Sequence, residues 1–292
     1  PVEGYQEPYT AFVKTMTSKP VVGVGRFTSA DAMVSQIKRG VLDLIGAARP
    51  SIADPYLPNK IETGRIDEIR ECIGCNICVA QDNLAAPIRC TQTPTQGEEW
   101  KRDWHPEKIE PAVSNDPVLV VGAGPAGLEA AMQLANRGYQ VTIAEANETL
   151  GGRVTLESKL PGLASYGRVR DYREAQILKH PNIEVYRGNQ LLADDIIALE
   201  IPHVFIATGS TWHRDGVGRQ HTFPLTGIDT VSVLTPDDIL TGVKAQGRVL
   251  IYDDDHYYMG GAIAEQCRNE GLEVTLVTPD SKVSSWTEYT LE

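Results

Sequence analysis

The sequence lacks three features, and each absence excludes a class of protein. No apolar run approaches the roughly 20 residues that a membrane-spanning helix needs. Basic residues are too few to balance the acidic ones, and the formal net charge of −12 makes nucleic acid and anionic membranes poor partners. No signal peptide is visible. The 292 residues, of which 41% are hydrophobic, are enough for two domains with cores.

Cysteine is scarce, and four of the five cysteines fall in one short window. Cys72, Cys75 and Cys78 recur at intervals of three, and Cys90 follows after eleven residues. One tight loop can turn three sulfurs inward while a later loop supplies the fourth, which suits a [4Fe-4S] cluster. A structural zinc site and unrelated buried thiols are the alternatives. Clustered cysteines also indicate a reducing, cytoplasmic location, and Cys267 reads as a buried structural thiol.

The first segment, residues 1–62, predicts an apolar strand, a helix and a second apolar strand. The strands cover residues 19–26 and 41–48, and the helix covers residues 28–39. Continuously apolar strands joined by a helix are typical of a parallel βαβ unit, and two such strands cannot bury themselves. We therefore interpret the segment as the end of a (β/α)8 barrel.

Glycine and arginine stand where these strands end. Gly25 and Arg26 follow the first strand, and Arg49 follows the second. Backbone amides beside glycine, together with guanidinium groups, can form a phosphate cradle. Surface arginines beside turn glycines are an equally good reading of the residues alone.

The next segment, residues 63–115, is predicted to be the cysteine module and its linker. Large aromatic residues follow Cys90, among them Trp100 and Trp104, with His105 beside the second. Because large aromatics mostly serve packing, we interpret them as a lid over the cysteine module.

A dinucleotide fingerprint opens the third segment, residues 116–245. A strand over residues 117–121 runs directly into Gly122, Gly124 and Gly127, and a helix over residues 128–136, closed by Gly138, follows. Glu145 stands at the end of the next strand, residues 139–144. The glycines allow a tight turn, close approach of a pyrophosphate and close packing of the helix, while the acidic residue accepts hydrogen bonds from a ribose. An adenine-nucleotide site is predicted.

Two further stretches are expected to return to that nucleotide. The Gly151-Gly152 pair lets a loop pass close to the pyrophosphate, and Arg153 is predicted to reach it. Residues 204–209 predict a later strand that ends beside the nucleotide.

The last segment, residues 246–292, repeats the strand–turn–helix–strand order with a different turn, and its helix is predicted from about residue 262 to residue 269. Asp253, Asp254 and Asp255 stand where a pyrophosphate requires bare amides, and they repel phosphate. We infer a degenerate unit that has lost nicotinamide-nucleotide binding, although Gly260-Gly261 leaves a displaced turn open.

In this order the motifs resemble one enzyme group, the iron–sulfur flavoproteins of the old yellow enzyme class. The group includes trimethylamine, dimethylamine and histamine dehydrogenases and 2,4-dienoyl-CoA reductase. Residues 46–55 are similar to the group's final barrel strand, residues 72–76 to its cluster motif, and residues 104–108 to the amine-dehydrogenase branch.

The resemblance implies an α/β protein composed of the end of an FMN-binding barrel, an iron–sulfur module and Rossmann-like domains. It implies FMN phosphate on Gly25, Arg26 and Arg49, and ADP or FAD at the glycine turn. The implied reaction oxidises a small amine at FMN and passes single electrons through the cluster to an external electron-transfer protein.

The acidic turn favours the amine-dehydrogenase branch over an NAD(P)H-dependent enoate reductase. A homodimer is expected. An isolated polypeptide with two barrel strands is expected to be inactive, and no catalytic acid or base is assigned within it, because substrate-facing residues would lie on other barrel strands.

Overall fold

A computed structural model describes residues 2–101 and 109–290. The chain forms two compact units, residues 1–108 and residues 109–292. The predicted α/β class is confirmed, and every pair of neighbouring strands is parallel. None of the helices in the described ranges is both long and apolar enough to cross a membrane.

The first unit contains one two-stranded parallel sheet and short helices. Its elements are α1 (Glu7–Thr10), α2 (Val13–Met16), β1 (Val22–Gly23), α3 (Ala30–Lys38), β2 (Leu44–Ile45), α4 (Ala48–Ala53), α5 (Leu57–Glu62), a 3-10 turn (Ile66–Glu68) and α6 (Ile77–Asn83). The apolar core between them is formed by Phe27, Met33, Leu42, Leu57 and Ile69.

Local sequence explains where these elements begin. Ser29 caps α3, because its hydroxyl accepts the Ala32 N–H at 3.3 Å. Ala47 is extended and α4 begins at Ala48, so the predicted strand over residues 41–48 is too long. Pro50 lies in the first turn of α4, where its missing N–H is tolerated.

The sheet of the first unit exposes apolar side chains. Val22 is 60% exposed and Leu44 is 55% exposed. This observation agrees with the expectation that two such strands cannot bury themselves.

The second unit begins with a four-stranded parallel sheet in the order β5-β4-β3-β6. Its elements are β3 (Val118–Val121), α7 (Pro125–Arg137), β4 (Val141–Ala144), α8 (Arg153–Glu157), α9 (Arg168–Lys179), β5 (Ile183–Tyr186), α10 (Ala193–Ala198) and β6 (His203–Ile206). All four residues of β3 are buried, because helices cover one face of the central strand and a short apolar cluster covers the other.

A smaller parallel sheet, β7-β8, completes the second unit. Its elements are α11 (Pro236–Leu240), β7 (Arg248–Tyr252), α12 (Tyr258–Asn269) and β8 (Glu273–Val277). Helices α7 and α12 each begin earlier than the sequence predicts. In α7, proline at the first helical position supplies a favourable φ and has no N–H to leave unbonded.

Candidate functional site

The four clustered cysteines line one cavity in the first unit, which Arg49 and Asn76 also line. Backbone N–H groups point at two of the sulfurs: Gly74 N lies 3.4 Å from Cys72 Sγ, and Gln92 N lies 3.4 Å from Cys90 Sγ. N–H···S bonds of this kind are used by iron–sulfur proteins to stabilise thiolates and adjust cluster potential. The donor set therefore fits a cluster with four thiolate ligands.

The loop between the cysteines is built for close approach. Gly74 adopts φ +76°, and Asn76 is left-handed at φ +52° where it precedes α6. An L side chain is strained at this positive φ, which favours glycine at position 74, and an added β-carbon would also displace the Arg26 guanidinium.

Burial raises the pKa of the Cys72, Cys78 and Cys90 thiols above their ordinary value. Loading of a metal centre must therefore release protons from these thiols. Within residues 2–101 and 109–290, no group of three or more His, Cys, Asp and Glu side chains is arranged as a single-ion site.

The two barrel-end arginines lie against the cysteine loop. Arg26 Nη2 lies 3.5 Å from the Ile73 carbonyl oxygen, and Arg49 donates a hydrogen bond to Asn76 Oδ1. Gly25 is buried, and its carbonyl accepts the Gly4 N–H at 2.7 Å. The structure therefore brings the predicted phosphate residues and the predicted cluster ligands into one region, and the phosphate role itself stays a prediction.

In the second unit, the three fingerprint glycines have three different surroundings. Gly122 adopts φ +97°, and a β-carbon there would overlap the Ala207 carbonyl oxygen. A β-carbon at Gly127 would overlap the Gly122 carbonyl oxygen. At Gly124 nothing lies within 4 Å of such an atom, so the surface above it is open to a ligand.

Glu145 is buried beside this turn, with an exposed fraction of 5%. Its Oε2 accepts the Ala123 N–H at 2.7 Å, and its Oε1 accepts the Asn147 N–H at 2.9 Å. The carboxylate thus ties the glycine turn to the end of β4. A carboxylate has lone pairs for further donors, so a ribose contact is compatible with these bonds and stays a prediction.

Arg153 lies near the turn but is held by other groups. It donates to the Ser210 carbonyl, and its Nη2 lies 3.1 Å from Asp237 Oδ1. Its guanidinium lies 5.7 Å from the centre of the Trp212 ring. No local pattern indicates these partners, because Ser210 and Trp212 lie in the distant loop after β6 and Asp237 lies in α11.

The turn between β7 and α12 is closed by its own carboxylates. Asp253 Oδ1 accepts the N–H groups of Asp255 and His256 at 3.1 and 3.2 Å, and a β-carbon on Gly260 would lie 2.7 Å from the Asp253 carboxyl carbon. The Asp253 carboxylate therefore occupies the region beside the first turn of α12, where a bound phosphate would otherwise lie.

A second buried carboxylate supports this turn. Asp254 accepts the Gln220 and His221 N–H groups at 3.0 and 3.1 Å, and its Oδ1 lies 3.1 Å from Nε2 of His256. Nδ1 of His256 lies 3.2 Å from the Thr278 hydroxyl. Two of the three acidic residues are thus structural, which sequence reasoning had treated only as charges.

Sequence reasoning also missed a pair formed by a buried glutamate and a half-buried tyrosine. The Tyr258 hydroxyl donates to Glu157 Oε2 at 2.8 Å, and the rings of Tyr166 and Tyr258 meet edge to face with 5.7 Å between centroids. Burial raises the pKa of Glu157. No local motif predicts this pair, since its two members are far apart in the chain.

The predicted aromatic lid is only partly described. Trp104 and His105, with the rest of the stretch assigned to the amine-dehydrogenase branch, lie outside the described residues. Trp100 is 75% exposed, which does not resemble a packed lid residue.

Three family models match consecutive parts of the chain. Residues 1–68 match the NADH:flavin oxidoreductase / NADH oxidase family, residues 116–251 match the pyridine nucleotide-disulphide oxidoreductases, and residues 234–292 match the OYE-like second alpha/beta domain. Consecutive parts of the chain are therefore similar to a flavin oxidoreductase domain, a pyridine nucleotide oxidoreductase domain and a second OYE-like α/β domain.

Individual relatives narrow that class. Dimethylamine dehydrogenase from Hyphomicrobium sp. is 43% identical over 99% of this chain and 40% of its own length. Among solved structures, 6-hydroxypseudooxynicotine amine oxidase from Pseudomonas geniculata is 56% identical with a TM-score of 0.96, over 99% of this chain and 44% of its own. Histamine dehydrogenase from Rhizobium sp. is 54% identical with a TM-score of 0.95, and the match covers 99% of this chain and 43% of that protein's chain.

These proteins are close homologues, so the resemblance read from the motifs is confirmed. The chain spans about 40% of the length of the curated relative that it matches.

Proposed function

We propose that the chain is part of an iron–sulfur flavoprotein that oxidises a small amine and transfers electrons singly to an external protein. The observation that carries the proposal is the cavity lined by Cys72, Cys75, Cys78 and Cys90, with Arg49 at its wall. Names of the close relatives, which include dimethylamine dehydrogenase and histamine dehydrogenase, support the amine as substrate class.

In this proposal the four thiolates hold a [4Fe-4S] cluster, and Gly25, Arg26 and Arg49 hold the phosphate of FMN. When bound, the flavin supplies two-electron oxidation of the amine and the cluster supplies one-electron transfer. The family match over residues 1–68 supports flavin binding in this segment. The chain's own task is to bind both groups and hold them close together, because Arg26 and Arg49 contact the cysteine loop.

An adenine nucleotide occupies the glycine turn of the second unit in this proposal. The open surface above Gly124 and the buried Glu145 carboxylate support it. No nicotinamide nucleotide is bound by the last segment, because the Asp253 carboxylate fills the region beside the start of α12.

The second candidate function is an NAD(P)H-dependent enoate reductase. The match of residues 116–251 to the pyridine nucleotide-disulphide oxidoreductases favours it, since that family is named for its use of a pyridine nucleotide. The acidic turn argues against it.

The test uses the full-length protein that contains this chain. Cofactors are released with acid and counted, and dimethylamine, histamine and NADPH are added separately to the anaerobic enzyme. We expect one flavin, one ADP and about four irons per chain. We also expect an amine, but not NADPH, to bleach the flavin. Two flavins with bleaching by NADPH would establish the reductase instead.

Paired cysteine variants test the cluster assignment. Cys90→Ser removes one proposed ligand and is expected to abolish the [4Fe-4S] absorption and paramagnetic signals. Cys267→Ser is the matched control, because Cys267 is buried in α12 of the other unit and is expected to leave iron content unchanged. Zinc in place of iron and sulfide in the unmodified protein would overturn the assignment.

A further inference from the structure

The glycine turn has a neighbour on each side. Glu145, on the β4 side, marks the adenosine end of the predicted ligand. On the β6 side, Ala207 donates its N–H to the Val121 carbonyl at 2.8 Å and its own carbonyl lies against Gly122. A dinucleotide crosses the carboxyl ends of the strands, so its second half must pass the end of β6.

The Arg153 side chain crosses the end of β6, where the second half of a dinucleotide would lie. The preceding loop touches the turn: Gly151 N donates to the Ala123 carbonyl at 2.8 Å, and a β-carbon on Gly152 would lie 3.1 Å from Gly124 Cα. From this loop the Arg153 side chain reaches the Ser210 carbonyl beyond β6. It therefore spans the gap between the two loops that border the turn.

The bridge is held at its far end by several contacts. Asp237 Oδ1 lies 3.1 Å from Arg153 Nη2, while Asp237 Oδ2 accepts the Trp212 N–H at 2.8 Å. The Trp212 ring lies under the guanidinium. Its indole N–H is buried and has no acceptor among the described residues.

The helix that carries Arg153 is held at its other end. Glu157 belongs to the same helix as Arg153, and its carboxylate accepts a hydrogen bond from the Tyr258 hydroxyl. The rings of Tyr166 and Tyr257 pack against Tyr258, with centroids at 5.7 and 4.8 Å. These contacts fix the short helix from which the Arg153 side chain extends.

We propose that Arg153 is a specificity-determining residue that ends the nucleotide site after the diphosphate, so that the site accepts ADP and rejects FAD. This inference rests on the nucleotide site of the proposed function. It differs from the sequence-based expectation, in which Arg153 only contacted the pyrophosphate.

The test measures binding by calorimetry to the full-length protein freed of its nucleotide. The probes are ADP, ADP-ribose and FAD, which extend progressively further beyond the same adenosine diphosphate. Affinity is expected to fall along the series by at least about tenfold, on the order of one lost charge-assisted hydrogen bond. Arg153→Ala is expected to raise the affinity for FAD relative to ADP by a similar factor.

Arg214→Ala is the matched control. Arg214 also bonds one carbonyl, that of Val233 at 2.7 Å, and one carboxylate, that of Asp238 at 2.8 Å. It is expected to leave the FAD-to-ADP ratio unchanged. If Arg153→Ala does not fold, Asp237→Asn weakens the same bridge and is expected to shift the ratio in the same direction by less.

Each result decides the question. Equal affinity of the unmodified protein for ADP and FAD overturns the inference, and so does a ratio that no bridge variant changes. Absence of binding for all three probes overturns the nucleotide site itself, and the inference with it. The amine and cluster experiments described above are independent of every one of these outcomes.

Discussion

The two strand–turn–helix–strand repeats of the second unit share a topology but differ in the turn. In the first, β3 runs into Gly122-Ala123-Gly124, and the surface at Gly124 is open. In the second, β7 runs into Asp253-Asp254-Asp255, and the first two carboxylates fold inward onto backbone N–H groups. In the first turn, Glu145 accepts the Ala123 N–H and the surface at Gly124 stays open. In the second turn, Asp253 accepts the N–H groups of Asp255 and His256 and lies beside the start of α12.

The difference shows that a Rossmann-like fold does not by itself provide a nucleotide site. Binding depends on whether the turn leaves its amides open, and a buried aspartate at that position replaces the ligand. The predictions below test this comparison.

Gly127→Ala is expected to have the largest effect. Because the added β-carbon overlaps the Gly122 carbonyl, α7 cannot keep its distance from β3, and the free energy of unfolding should fall by about 3 kcal/mol. Chemical denaturation measures the loss. Gly261→Ala, whose β-carbon would meet only Ser284 Oγ at 3.7 Å, is the control in α12. Equal stability of the two variants would contradict the packing described here.

Asp254→Ala tests the second turn. Its removal leaves the Gln220 and His221 N–H groups and the His256 ring without their acceptor, so stability should fall by about 2 kcal/mol. NADPH should still fail to bind, because Asp253 remains in place. Denaturation and NADPH titration provide the two readouts, and NADPH binding by this variant would show that Asp254, not Asp253, closes the site.

Gly124→Ala separates binding from folding. Since no atom lies within 4 Å of the added β-carbon and φ is −70°, stability should change by less than about 0.5 kcal/mol. The methyl group would still stand where the diphosphate approaches, and ADP affinity should fall by about tenfold or more, or ~1.4 kcal/mol. Unchanged ADP affinity would place the nucleotide elsewhere.

Glu157→Gln is expected to have the smallest effect. Burial raises the pKa of Glu157, so the folded state holds a proton more tightly than the unfolded state does. Its contribution is therefore most favourable below the unfolded pKa and is lost as pH rises through the folded pKa. The variant keeps an acceptor for the Tyr258 hydroxyl and should be slightly more stable than the unmodified protein at neutral pH.

The check is a pair of melting curves for Glu157→Gln and the unmodified protein at acid and neutral pH. Their difference should shrink as the pH falls. A difference independent of pH would show that the carboxyl group does not titrate in this window.

Several features of the fold were predictable because their signals are local. Apolar runs located β3 and β4, glycine at position 138 ended α7, and the fingerprint spacing located the turn between β3 and α7. Element ends were less accurate: β2 is shorter than predicted, since α4 begins at Ala48, and α12 begins at Tyr258 before its expected start.

In the candidate site, too, features with a local signal were predictable and long-range contacts were not. Spacing predicted that Cys72, Cys75, Cys78 and Cys90 share one site, and in the structure all four line one cavity, with Cys78 in the first turn of α6. The contact of Arg26 with the carbonyl of Ile73 links residues that lie 47 positions apart, and no periodicity encodes it.

By itself, the sequence determined the parallel α/β class, the cysteine loop and the open glycine turn, because each depends on residue types a few positions apart. Only the tertiary structure decided which backbone N–H groups are hydrogen-bonded by side chains and which groups the Arg153 guanidinium contacts. Arg153 meets Ser210 across 57 residues, and Tyr258 meets Glu157 across 101. Such partners are chosen by the packing of whole elements, which local residue patterns do not specify.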